Sequence, residues 1–165
     1  MDWYAMRFTG IGKFRGDEQG VILIETLLVL PVLLLTCFGI LEFGNIMWQR
    51  EQLQIGVRDA ARYWSRCTAD LPTGGYTATC NEITARNIAL YGNPAGTGRL
   101  RVPGWDAASE IVFTPAHEDL PTTPTAGDLV TVSGAAPYTG TPVTAFVFSN
   151  LITLRSTHSE RYIGW

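Results

Sequence analysis

The sequence is short of charge. Only 16% of its 165 residues are charged, and a single lysine, Lys13, stands among them. A soluble domain carries roughly 25%. The missing charge points to a segment that does not face water. Lys and Arg number 12 against 15 Asp and Glu, a net charge of −3. That balance excludes the usual basic nucleic-acid binder. With 46% hydrophobic residues, the chain does not have the composition of a disordered one. The length allows one domain, with room for an appendage.

Catalytic signatures are missing too. The sequence has no G-x-S-x-G, no H-E-x-x-H, no phosphate loop and no dinucleotide fingerprint. Its one lysine precedes the long apolar run, so no Ser–Lys dyad can form beyond that run. His117-Glu118-Asp119 is the only cluster of histidine with acids, and neighbouring residues there point in different directions. His158 and Glu160 share a face if they lie on a strand, where a surface pair is expected. Trp105, Tyr138 and Trp165 read as core or surface aromatics. We expect no catalytic site, no metal site, no cofactor and no small-molecule substrate.

The run from Val21 to Leu41 supplies what the composition implies. Its 21 residues carry one charge, Glu25. As a helix it spans about 30 Å, the thickness of a bilayer core. A secretory signal has a shorter apolar stretch, roughly 7–15 residues, and ends in small residues. Leu41-Glu42-Phe43-Gly44-Asn45 offers no such site. Cys37 follows Thr36 and is followed by more apolar residues, unlike a lipoprotein cysteine; it reads as a lipid-facing or packed thiol. Arg7, Lys13 and Arg15 precede the run, and Arg50 alone follows within fifteen residues. That asymmetry places the N-terminus in the cytoplasm and the C-terminal part outside.

Two residues in the run need explaining. Glu25 costs a few kcal/mol in lipid unless it snorkels or finds a partner. It lies about one turn inside, so snorkelling is the plain reading. If the chain is cut between Gly20 and Val21, however, Val21 gains an α-amino group. Glu25 is then one helical turn away, at i+4. The carboxylate can pair with its own N-terminus or with a neighbouring subunit's. Pro31 removes a hydrogen bond to the Leu27 carbonyl and bends the helix, which membrane helices tolerate. The bend serves either as a hinge or as a packing feature.

The stretch from Phe14 to Trp64 resembles the TadE-like family, pseudopilin-like proteins of the tight-adherence (Flp) pilus assembly system within the type IV pilus class. The resemblance rests on Gly20-Val21, Glu25, the Leu-Val-Leu-Pro run ending at Pro31, Gly39-Ile40-Leu41-Glu42-Phe43-Gly44 and Ala60-Ala61-Arg62-Tyr63. A looser likeness follows in Val130-Thr131-Val132, Leu154-Arg155 and Glu160-Arg161. It implies cleavage by a prepilin peptidase, with Thr26 standing where an aromatic often follows the glutamate. It also implies a bacterial inner-membrane protein with a periplasmic C-terminal domain, whose partners are membrane lipid, the peptidase, other pilin-like subunits and pilus-assembly proteins. The alternative is a single-pass, membrane-tethered binding module that enters no pilus.

Past the membrane, Ile46, Leu53, Val57, Ala60/Ala61 and Trp64 form one helical stripe. A helix through Arg66 stands about 37 Å beyond Leu41. Its stripe packs on the chain's own C-terminal domain, on another subunit, or on both. Cys67 and Cys80 flank a turn-rich loop holding LPTGGY. Joined in an oxidising compartment, they stabilise a small domain by about 3 kcal/mol. A zinc site needs four ligands, and only His117 and His158 are left to join them.

Residues 81–91 read as a short helix stopped by Gly92, on the spacing of Ile83, Asn87, Ile88 and Tyr91. Residues 110–113, 128–133 and 151–157 read as strands. Residues 143–150 are ambiguous between helix and strand, and 115–127 read as loop. The expected fold is α+β: a long N-terminal transmembrane helix continuing into an extracytoplasmic helix, packed on a small antiparallel β-sheet domain. The expected layout is a leader over 1–20, a transmembrane helix over 21–41, a helical extension over 42–66 and an α+β domain over 67–165.

Overall fold

The structure is a computed structural model and describes residues 18–67, 80–121, 125, 127–141 and 152–163. Helix α1 covers Glu18–Trp64 and α2 covers Glu82–Tyr91. Three strands follow: β1 (Ile111–Thr114), β2 (Leu129–Pro137) and β3 (Thr153–Arg161). Short 3-10 turns lie at Ala108–Glu110 and His117–Asp119. The chain divides into two compact units, Met1–Leu41 and Glu42–Trp165. The class is α+β, with a long apolar helix and a three-stranded antiparallel sheet.

In the first unit, α1 is apolar on every side, and all residues from Val21 to Leu41 are exposed. This helix is long and apolar enough to cross a membrane, and none of its most apolar window is buried. Its two hydroxyls turn inward to the backbone: Thr26 Oγ1 donates to the Ile22 carbonyl and Thr36 Oγ1 to the Val32 carbonyl, both at 2.8 Å. Polar side chains are thereby satisfied without water. The helix continues through Pro31 without a break in assignment.

The second unit is built on the rest of α1. Leu53, Val57, Ala60, Ala61 and Trp64 are fully buried, so the expected stripe is the core face. Its partner is the sheet, ordered β1-β2-β3 with both pairings antiparallel. Strand β2 alternates as a half-buried strand should: Val130, Val132, Gly134 and Ala136 are buried. Gly134 is where α1 crosses. A Cβ there would lie 2.7 Å from Val57 Cγ2.

Trp105 fills the slot between helix and sheet. Its ring atoms would lie 2.9 Å from a Cβ at Gly56 of α1 and 3.1 Å from one at Gly134 of β2. Gly56 also admits α2, since a Cβ there would lie 2.5 Å from the Ala89 carbonyl oxygen. That close approach explains a departure from the expected spacing of α2. The buried residues are Ala85, Ala89 and Leu90, and Ile83 is 65% exposed. Small side chains face α1 because backbone meets backbone there.

Capping fixes the ends of α2. The Asn81 side chain accepts from the Ile83 N–H at 2.8 Å, and Gly92 takes φ 77° and donates to the Ile88 carbonyl. Arg86 reaches from α2 to the carbonyls of Ala108 and Ile111, and pairs with Glu82. Arg101 pairs with Asp59 of α1 at 2.7 Å.

The second and third strands are longer than expected. β2 runs to Pro137 and β3 from Thr153 to Arg161, because pairing with β2 carries the polar β3 sequence beyond its apolar start. Within 115–127 a 3-10 turn forms at His117–Asp119. Residues 143–150 and Trp165 lie outside the described residues.

Candidate functional site

The junction Gly20-Val21 lies within α1, whose first residue is Glu18. Both residues are exposed, and a Cβ on Gly20 would meet nothing within 4 Å. Val21 and Glu25 fall one turn apart on the same helix and therefore share a face. The Glu25 side chain is exposed among exposed Ile22, Leu23, Ile24, Leu27 and Leu28. Pro31 follows in the same helix. Cys37 is free and exposed.

Cys67 and Cys80 are joined by a disulfide, with Cα atoms 5.3 Å apart. The bond ties the end of α1 to the start of α2. Tyr162 reinforces this corner by donating from its hydroxyl to the Cys67 carbonyl at 2.6 Å. Burial, with Asp128 nearby, raises the pKa of that phenol. The Ile163 N–H donates to the Ser65 carbonyl at 2.9 Å, so the chain returns from β3 to the end of α1.

The histidines do not converge. His117 packs at a tilt against Trp64, ring centroids 5.9 Å apart. His158 Nε2 lies 2.9 Å from Glu160 Oε1, the pair that strand alternation implies. Arg62 approaches the same carboxylate at 3.8 Å. Among the described residues, no group of three or more His, Cys, Asp and Glu is placed to hold a metal ion. Trp105 and Tyr138 are fully buried in the core.

One constellation was not singled out from the sequence. Glu42, Asn45 and Gln49 occupy the core face of α1 about three, two and one turns before Leu53. Glu42 and Gln49 are buried. Tyr138, just past β2, donates its hydroxyl to Glu42 Oε1, and Thr141 Oγ1 donates to Oε2 at 2.9 Å. Asn45 Nδ2 donates to the Tyr138 oxygen at 3.0 Å, and Gln49 Nε2 to the Thr139 carbonyl at 3.0 Å. Burial first, then the bonded Glu42 carboxylate, push the Tyr138 phenol up to about 12. The signal was available in the spacing. Residues 42, 45, 49 and 53 keep the helical period of the apolar stripe, so three polar side chains enter the core in phase and must find partners there.

Residues 20–62 match the family model TadE, whose description is TadE-like protein. Over this stretch the chain is similar to TadE-like proteins. The match begins at Gly20 and takes in Glu25, Pro31, Glu42 and most of the buried stripe. No curated protein and no solved structure matches the chain.

Proposed function

We propose that this protein is a TadE-like minor pseudopilin, or a pilus-assembly component of the same kind, held in the bacterial inner membrane by Val21–Leu41. Its N-terminus is cytoplasmic, and residues 42–165 form the periplasmic part. A prepilin peptidase removes residues 1–20 between Gly20 and Val21. The mature protein works by packing against other pilin-like subunits and carries out no chemistry.

The observation that carries this reading is the uniformly exposed apolar stretch of α1 from Gly20 to Leu41, inside the TadE-like match. A helix with no buried side needs lipid or other helices around it. Glu25 is its one exposed charge, a turn from the proposed new amine at Val21. In low dielectric such a pair attracts several-fold more strongly than on a surface, although desolvation offsets much of this. Pro31 leaves the Leu27 carbonyl without its helical donor and is proposed as the bending point when the helix moves between bilayer and assembly.

The test is Glu25→Gln as the only copy in the cell. The amide keeps the shape and loses the charge-assisted bond. We expect normal membrane levels, with subunit crosslinking and pilus output reduced. Normal assembly would leave Glu25 no role beyond peptidase recognition.

A second reading has one observation in its favour. The stripe Leu53–Trp64 is fully consumed by the chain's own core. It is not available to a neighbouring subunit, as a tethered binding module that enters no filament would have it. A retained leader would favour that reading.

A further inference from the structure

Beyond Leu41 the exposed side of α1 stays apolar for two more turns. Phe43 is 62% exposed, Met47 37% and Trp48 46%. Gly44, between them, is also exposed. On the helical period these residues share one side, or arc, of the helix. The arc first meets charge at Arg50 and Glu51, both exposed. The opposite arc behaves differently. It turns polar at once, at Glu42, and that carboxylate is buried under Tyr138 and Thr141.

From these two arcs we infer that Phe43, Met47 and Trp48 form a membrane-seated face, occupied by the interfacial zone of the bilayer. The inference rests on the membrane-anchoring reading above and extends it. The grading of polarity is what identifies lipid. Along the helix axis, apolar residues give way to an amphipathic indole and then to a guanidinium. That is the order of environments from acyl chain to headgroup to water. A face built for another protein has no need of grading along one axis. The seat also accounts for the Glu42 cluster. At this depth a carboxylate open to lipid is costly; here its oxygens take two hydroxyl donors from the folded unit. Less of the helix therefore stands free in water than a boundary at Leu41 implies.

The test uses the full chain with Cys37→Ser, reconstituted in vesicles of phosphatidylethanolamine and phosphatidylglycerol. Single cysteines replace Leu28, Phe43, Met47 or Gln54 and carry an environment-sensitive thiol label, with the Cys67–Cys80 bond left oxidised. Nitroxide lipids report contact with the bilayer, and iodide reports contact with water. We expect shallow nitroxides to quench the labels at 43 and 47, and iodide to quench them several-fold less than the label at 54. Native Trp48 gives a reading without a label: tryptophan quenching by brominated lipid should fall in Trp48→Phe. Iodide access at 43 and 47 equal to that at 54 would overturn the inference. So would shielding from iodide without lipid quenching, which would put a protein on this face. The label at 28 separates the two readings. If it is quenched by deep nitroxides while 43 and 47 are in water, only the seat fails; if it is in water itself, the anchoring reading fails with it.

Discussion

The Tyr138 hydroxyl donates to the Glu42 carboxylate, joining residues 96 apart in the sequence. One stands on α1 and the other follows β2, and both are buried. Removing the hydroxyl leaves a buried carboxylate with one donor fewer. Tyr138→Phe should therefore destabilise the folded unit by about 1–3 kcal/mol. Urea unfolding of the detergent-solubilised protein, followed by tryptophan emission, measures the loss.

The same pair sets an alkaline limit. The Tyr138 phenol is pushed up to about 12 by burial and by Glu42, against about 10 in an unfolded chain. A raised folded pKa means that the proton's contribution is complete below about pH 10 and is lost as pH rises towards 12. Stability should fall steeply in that window. Tyr138→Phe should flatten the fall only in part, because Tyr162 is shifted in the same direction. A series of unfolding curves between neutral and alkaline pH reads both effects.

Gly56 and Gly134 are slots for packing. Gly56→Ala drives a methyl group to 2.5 Å from a backbone oxygen of α2, and Gly134→Ala drives one to 2.7 Å from Val57. Each should cost about 1–3 kcal/mol by overpacking. The larger effect is expected at Gly56, where the obstacle is backbone and not a movable side chain. Gly44→Ala meets nothing within 4 Å and should leave unfolding unchanged. Thermal melts of the three variants side by side make the comparison.

The disulfide closes a loop across a sequence separation of 13. Cys67→Ser with Cys80→Ser should lower stability by about 3 kcal/mol on the chain-entropy estimate. Thiol labelling of unreduced protein should modify Cys37, which is free and exposed, and spare the other two until a reductant is added.

Much of this unit was legible before the structure because its signals repeat. The stripe from Leu53 to Trp64 keeps a strict helical period, and Asn81 and Gly92 are strong cap residues. The Cys67–Cys80 pairing followed from spacing and from the expected oxidising compartment. Other features depend on partners distant in sequence. The burial of Ala85 and Ala89 in place of Ile83 follows from Gly56, some thirty residues earlier. The length of β3 follows from pairing with β2 and not from its own polar sequence. The Glu42 cluster was visible as polarity in phase with the core, yet its meaning lay in Tyr138 and Thr141, nearly a hundred residues away.

The protein is proposed to be a pilin-like precursor cut between Gly20 and Val21, at the start of its apolar run. The most direct measurement is the intact mass and N-terminal residue of the protein recovered from cells that carry the system's prepilin peptidase. The expected result is a chain starting at Val21, lighter by the first 20 residues, and a full-length chain when Gly20→Ala is introduced or the peptidase is removed. A full-length chain in the presence of the peptidase would contradict it.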